Sequence, residues 1–478
     1  MIKHIFDLVF SSLYKPIDAF IEKPWEKQLQ TFDYILSHGK LTYFGEKNKF
    51  DQIKTPEDFK KRVPIMGYED LKPYLDIIIN EKKDNVLWDT PVKWFAMSSG
   101  TTNDKSKYIP VTEESLKNCH YRGGYHMLAL YAKHFPENRY LLGKSLVLGG
   151  SQQVNTIGKG IFTGDISAVL VKNLPWWAKR RRTPEEISLI PEWDVKLQKL
   201  TDYAINADIR SLIGVPSWML VLLKKITKDT GQSITDIWPN LEVFYHGGVS
   251  FAPYREQFEK LIPSPKMNYW ETYNASEGFF GIQYTPNSSD MLLLLDNEVF
   301  YEFIPNGQWD KDNPETLTLN EVEVGVKYAM LITTSGGLWR YLIGDTIEFT
   351  SLKPHLFKIA GRIKHFINAF GEELMINNAE DALQEACRAT GAKITEYTAA
   401  PVFFDDNNNG AHEWLIEFET PPSDLELFRN ELDSSLKSLN SDYEAKRSFG
   451  LSLRMPLVKV MPRNFFYKWL ASKERMGG

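Results

Sequence analysis

Leu241-Glu242-Val243-Phe244-Tyr245-His246-Gly247-Gly248 is the stretch on which the fold class turns. A short run rich in Val, Phe and Tyr reads as a buried strand, and the glycine pair ends it. Lys144-Ser145-Leu146-Val147-Leu148 before Gly149-Gly150 has the same form, and Val92 to Met97 is a third strand, running into the polar loop Ser98 to Asp104. Helical patterns separate and precede these strands: Glu113 to His134, and Met1 to about Lys82, broken by Pro24, Pro56, Pro64 and Pro73. Strands alternating with helices predict an α/β architecture. From Asn297 to Phe349 the texture changes to short alternating strands at Val299 to Ile304, Lys327 to Thr333 and Thr346 to Phe349. These predict an antiparallel sheet or a distorted β-barrel inside the same large domain.

A boundary falls near Gly361-Arg362. Beyond it come a helix from Asn378 to Thr390, strands Thr395 to Phe404 and Glu413 to Glu419, and a helix from Ser423 to Leu439. The joint Asp405-Asp406-Asn407-Asn408-Asn409-Gly410 is rich in residues that accept turn conformations. The expected fold is therefore α/β (α+β). It has a large multi-layer N-terminal domain, residues 1–361, with α/β sheets and a distorted β-barrel. A small α+β C-terminal domain, residues 362–478, completes it.

Composition narrows the function classes. The 478 residues are 43% hydrophobic and 25% charged, which is globular and excludes disordered, collagen-like and coiled-coil chains. With 56 Lys and Arg against 62 Asp and Glu, the net charge of −6 does not suit blanketing nucleic acid. The two cysteines, Cys119 and Cys387, supply neither a disulfide framework nor a four-Cys zinc site, and a reducing cytoplasm is the expected compartment. No apolar run of about 18 residues is present to span a bilayer. The N-terminal segment places Ile5, Leu8, Val9 and Leu13 on one face and predicts an amphipathic helix packed on the body. The basic run Lys179-Arg180-Arg181-Arg182, followed by Glu185 and Glu186, predicts a solvated loop.

Four short motifs carry chemistry. Ser98-Ser99-Gly100-Thr101-Thr102, followed by Lys105 and Lys107, can offer N–H groups, hydroxyls and an ammonium to phosphate oxygens, but lacks the spacing of a Walker loop. His246-Gly247-Gly248 is either a tight turn or a place where a ligand approaches the backbone. In Trp270 to Gly278, Glu277 is a carboxylate able to hold Mg²⁺ against phosphates, or a residue of an ordinary surface loop. In Tyr341-Leu342-Ile343-Gly344-Asp345, Asp345 can accept bonds from two ribose hydroxyls, or simply close a turn. His120, His126 and His246 lack ligand spacing and read as structural.

The order of these motifs resembles the adenylate-forming superfamily, and most closely its auxin-responsive Gretchen Hagen family of acyl-acid amido synthetases. The resemblance rests on Ser98-Ser99-Gly100-Thr101 with Lys107, on Tyr273-Asn274-Ala275-Ser276-Glu277 with Phe280-Gly281, and on Tyr341 to Asp345. Phe59 to Ile65 and Tyr68-Glu69-Asp70-Leu71 add to it. It implies activation of a carboxylic acid by Mg-ATP as an acyl-adenylate, then transfer to an amine, usually of an amino acid. Ser98, Ser99, Gly100, Thr101 and Thr102 would cradle the phosphates, with Lys105 or Lys107 nearby. Tyr273 and the Gly247-Gly248-Val249 backbone would flank the adenine. Ser276 would meet the α-phosphate, Glu277 would bind Mg²⁺ and Asp345 would hold the ribose. Arg362 would sit on the nucleotide side of a hinge near Gly361 to Lys364, about which the small domain is expected to rotate.

Two departures qualify the resemblance. The family carries a lysine shortly after a Gly-Gly or similar turn near its C-terminus. This sequence reads Met476-Gly477-Gly478 at that point, so a continuation is expected, because Lys468 and Lys473 fall in a helical pattern. Plant members often carry arginine in the helix after the first motif, where this chain has Lys117-Asn118-Cys119-His120-Tyr121-Arg122, so plant hormone substrates do not transfer. Two further readings remain at this point: transfer of the acyl group to a thiol such as coenzyme A, and a nucleotide- or acid-binding protein without catalysis.

Overall fold

The computed structural model describes residues 2–99, 106–149, 154–158, 160–190, 192–252, 254–309, 311, 313–363, 366–367, 369–372, 374–404, 409–447 and 453–472. The strands are β1 (Trp94–Ser99), β2 (Ser106–Val111), β3 (Lys144–Leu148), β4 (Asn155–Gly158), β5 (Ile161–Gly164), β6 (Ile209–Gly214) and β7 (Val243–His246). They continue as β8 (Asn268–Ala275), β9 (Gly278–Gln283), β10 (Met291–Leu293), β11 (Val299–Pro305), β12 (Leu317–Thr318), β13 (Lys327–Thr334), β14 (Tyr341–Leu352) and β15 (His355–Arg362). The last are β16 (Phe366–Ile367), β17 (Leu374–Met375), β18 (Lys393–Val402), β19 (Ala411–Thr420) and β20 (Leu457–Met461).

The chain divides into two units. The first holds Met1–Met97, Tyr108–Gly248 and Glu256–Ile363; the second holds Ser98–Lys107, Val249–Arg255 and Lys364–Gly478. The first unit is built on one eleven-stranded sheet, ordered β12-β11-β13-β14-β15-β10-β9-β8-β7-β6-β3. Strands β3, β6, β7 and β8 run parallel, and every residue of β7 is buried, as a strand covered on both faces requires. At β8 the sheet changes character: parallel to β7 on one side, antiparallel to β9 on the other. The expected distorted barrel is therefore corrected. The antiparallel strands continue the parallel block as one open sheet, because β8 hydrogen-bonds to both, and β12 and β3 remain its two edges. A second, four-stranded sheet has the order β2-β1-β5-β4.

Helix α1 (Ile2–Glu22) buries Ile17 and Phe20, and Phe20 meets the His126 ring edge-on at 6.2 Å in helix α2 (Arg122–His134). The predicted helix Glu113 to His134 is helical throughout, with a π-helical stretch, Ser115–Tyr121, that runs into α2. That stretch packs its thiol against β9: the Phe279 amide donates to Cys119 Sγ (3.3 Å), and a Cβ at Gly278 would lie 3.2 Å from that sulfur.

The C-terminal part of the second unit keeps the expected small α+β pattern and adds to it the β16–β17 pair, β20 and the helices Ser441–Arg447 and Phe465–Ser472. Helices α3 (Ile376–Thr390) and α4 (Leu425–Leu439) accompany a three-stranded sheet in which β18 and β19 pair antiparallel, and β20 adds parallel to β19. Asp433 of α4 collects Tyr443 (2.9 Å) and Arg447 (2.5 and 2.8 Å), locking the following helix down.

Candidate functional site

The site is assembled where the parallel and antiparallel blocks meet. Strand β7 ends at His246, and Gly247 turns directly against β8. A Cβ at Gly247 would come 2.4 Å from the Thr272 carbonyl oxygen, so only glycine fits, and the Thr272 hydroxyl donates to His246 O (3.1 Å). Gly248 follows at φ +82°, a conformation glycine adopts without strain. The glycine pair thus has a packing reason of its own: it brings the end of β7 beside the strand that carries Tyr273.

Tyr273 reaches the antiparallel block. Its hydroxyl donates to Asp345 Oδ2 at 2.5 Å, and Arg362 Nε donates to Asp345 Oδ1 at 2.5 Å. Cross-strand register sets the second contact, since Asp345 of β14 and Arg362 of β15 are direct partners. Gly344 (φ +94°) precedes the aspartate and its carbonyl accepts from the Ile363 amide (2.9 Å), closing the strand ends together. Burial first, and then the Asp345 charge, hold the Tyr273 phenol far above its ordinary pKa, so it stays a neutral donor. Each carboxylate oxygen accepts one bond here and keeps a further lone pair.

Ser276 and Glu277 form the two-residue turn between β8 and β9, with Ala275 and Gly278 paired across it. Both are partly exposed, and the Glu277 charge acts on Tyr273. The structure therefore brings Tyr273, Asp345 and Arg362 into contact and places Ser276 and Glu277 on the same hairpin. The remaining sequence candidates lie in the second unit. Ser98 and Ser99 end β1, Lys107 lies near the start of β2, and Val249 is buried in a segment whose Tyr254 hydroxyl donates to Ala369 O (2.6 Å). Gly100, Thr101, Thr102, Lys105 and Lys364 lie outside the described residues, as do Lys473 and the Gly477-Gly478 end.

Sequence reasoning missed how the nearby arginine is used. Arg122 donates to Asp296 O (2.9 Å) and Asn118 Oδ1 (3.4 Å), while His126 Nε2 pairs with Asp296 Oδ1 (2.9 Å). The i, i+4 spacing of Asn118, Arg122 and His126 was the available signal for one helix face. Burial lowers the His120 pKa to about 4, which keeps that ring neutral.

Similarity to known proteins follows the same layout. Curated relatives include an indole-3-acetic acid-amido synthetase, GH3.4, of Arabidopsis thaliana, 23% identical over 95% of this chain and 87% of its own. A jasmonoyl–L-amino acid synthetase, JAR6, of Nicotiana attenuata is 24% identical over 94% and 88%. Among solved structures, the GH3.15 acyl acid amido synthetase superposes with a TM-score of 0.62 at 19% identity, covering 95% of this chain and 89% of that one. A 2-hydroxyisobutyryl-CoA ligase in complex with 2-HIB-AMP and CoA gives 0.59 at 14%, covering 92% and 86%. Residues 13–267 match the GH3 family N-terminal domain, 292–362 its central domain and 377–478 its C-terminal domain. The central match ends on Arg362, where the strand pair that holds Asp345 also ends, and with three consecutive domains matched in order over most of its length the chain belongs to the GH3 family.

Proposed function

We propose that this chain is an ATP-dependent acyl-acid amido synthetase. The carboxylate of a small acid attacks the α-phosphorus of ATP, pyrophosphate leaves, and an acyl-adenylate forms. The amine of an amino acid then attacks the acyl carbon, the bond to AMP breaks, and an amide results. The observation that carries this reading is the Tyr273–Asp345–Arg362 constellation at the joint of the two sheet blocks, in a chain with the three GH3 domains in order.

Each residue has a physical task in it. Asp345 accepts from the ribose hydroxyls with the lone pairs that Tyr273 and Arg362 leave, and those two groups fix its plane. Tyr273 and the Gly247-Gly248-Val249 backbone flank the adenine. Ser98, Ser99, Gly100, Thr101 and Thr102 cradle the phosphates, with Lys107 supplying positive charge to the pentavalent centre. Ser276 donates to the α-phosphate. Glu277, a single carboxylate on a partly exposed two-residue turn, is the donor type Mg²⁺ takes when water and phosphate oxygens complete its octahedron. Bound there, the ion would neutralise phosphate charge as pyrophosphate departs.

Acid-dependent ATP–pyrophosphate exchange across a panel of acids tests the first step, and product mass with amino acids tests the second. Absence of exchange with every acid overturns the reading. Glu277→Ala is expected to lose Mg²⁺-dependent exchange, by roughly a hundredfold or more, with its melting temperature unchanged; full exchange in that variant removes the metal assignment.

A further inference from the structure

The basic run Lys179 to Arg182 does not behave as one solvated loop. Lys179 bonds Glu185 Oε2 (2.7 Å), while Glu185 Oε1 is held by Lys172 (2.9 Å), so that carboxylate is neutralised twice over. Arg180 lies over the Trp176 ring (5.4 Å), and Arg181 is exposed. Arg182 is partly buried. Its segment is clipped to the edge of β3: Ser145 N donates to Arg181 O (2.7 Å), Thr183 N to Ser145 O (3.1 Å), and Val147 N to Thr183 Oγ1 (2.8 Å).

Between those clamps the Arg182 side chain lines a shallow cleft with Val147, Val171, Leu174, Thr183 and Ser188, and the Lys179–Glu185 pair completes the lining, its carboxylate already held by Lys179 and Lys172. The cleft holds about 270 Å³ counted out to its open mouth. Its enclosed part has room for about one water, the size of a carboxylate oxygen and not of a whole substrate. No carboxylate of the described residues pairs with the guanidinium. The groups it acts on are phenols, Tyr121 and Tyr125, whose pKa values are raised by burial and pulled back by the Arg182 charge. Burial also lowers the Arg182 pKa, yet a guanidinium remains charged at neutral pH. A guanidinium partly withdrawn from water with no carboxylate paired to it gains from a counter-ion, and the planar fork of arginine matches a carboxylate.

We propose that Arg182 in this cleft binds a carboxylate that the reaction leaves intact. The inference rests on the function proposed above. The carboxylate that is adenylated loses its charge, so a fixed guanidinium suits one that stays ionised through both half-reactions. Two sources have that chemistry: the α-carboxylate of the acceptor amino acid, and a second carboxylate on the acyl acid.

Arg182→Gln and Arg182→Lys test it in the full chain. Pyrophosphate exchange is measured with mono- and dicarboxylic acids, and amide formation with alanine and alaninamide. If the acceptor is the source, Arg182→Gln raises the KM for alanine at least tenfold and leaves alaninamide and exchange unchanged. If the acyl acid is the source, it raises the exchange KM for dicarboxylic acids tenfold and spares monocarboxylic ones. Arg182→Lys falls between wild type and Arg182→Gln in either case. Unchanged kinetics, or one equal loss for every substrate, overturns the proposal. Should the wild type show no exchange at all, the function reading fails and the cleft is read by melting temperature. A rise with glutarate or alanine that Arg182→Gln lacks keeps the carboxylate site, and equal responses remove it.

Discussion

Two carboxylate–guanidinium pairs occupy the same sheet and do opposite jobs. Glu302 of β11 holds Arg340 through Nε (3.0 and 3.2 Å) and Nη2 (2.9 Å). The rest of that guanidinium is used up on Thr316 Oγ1 (2.9 Å), Lys60 O (3.0 Å) and Val63 O (2.7 Å). The two side chains are 5% and 1% exposed, and Arg340 sits at φ +43° to make the contacts. Asp345 and Arg362 are 11% and 17% exposed, and each carboxylate oxygen takes one protein donor. Saturation separates the two. The first pair has nothing left to offer a ligand and ties the N-terminal segment at Lys60 and Val63 to the antiparallel strands; the second keeps lone pairs at the edge of solvent.

The widest gap between them should appear on truncation. Glu302→Ala leaves a buried guanidinium uncompensated, and is expected to cost about 3–5 kcal/mol of stability. Chemical denaturation would read this directly, while exchange activity per folded molecule stays near wild type. A loss of activity at unchanged stability would erase the distinction.

Burial without a counter-charge should act on the same scaffold through pH. Burial lowers the pKa of His120 and of His355 to about 4, below the ordinary value of 6.5. The folded chain therefore keeps both rings neutral while the unfolded chain takes up protons. Their stability contribution is present in full above pH 6.5 and declines as pH falls toward 4, by up to about 3 kcal/mol for the nearly inaccessible His120. A melting curve against pH should flatten over that window in His120→Gln, and a wild-type curve flat from 6.5 to 4 would contradict the assignment.

Asp345→Asn probes the other pair. It keeps the shape, weakens both charge-assisted bonds and removes the charge. Exchange should fall roughly tenfold to a hundredfold through the KM for ATP, with little change in stability. Tyr273→Phe, which deletes one of the two donors, should show a smaller loss in the same parameter.

What was legible beforehand divides along the same line. Strands such as Val243 to Tyr245 announce themselves, because a strand buried on both faces is continuously apolar, and the hairpin turn at Ser276-Glu277 lies inside a motif quoted whole. The barrel was misread because alternation in β11, β13 and β14 fixes which face is buried and not which neighbour each edge finds; pairing through β15, β10 and β9 to β8 decides that. Asp345 was singled out from its Gly-Asp turn. Its bonds to Tyr273, 72 positions away, and Arg362, 17 positions away, depend on register that no local pattern carries. Arg182 shows the limit at one residue: a run of like charges reads as solvated, and the clamp of its neighbours on Ser145 and Val147 leaves its fourth member partly buried along a cleft.

The smallest effect belongs to a pair that resembles the other two only on paper. Lys225 and Asp229 lie 2.6 Å apart at i, i+4 on a helix, 25% and 36% exposed. Both ions stay in contact with water and both side chains have rotamers to lose, so the gain is screened and offset. Asp229→Asn should shift stability by only about 0.3–0.5 kcal/mol, and less in high salt. If the loss approached that of Glu302→Ala, distance alone would rank these pairs. If it stays small, desolvation and saturation rank the three pairs, and Asp345 differs from the carboxylates of the other two in combining low exposure with one protein donor on each oxygen.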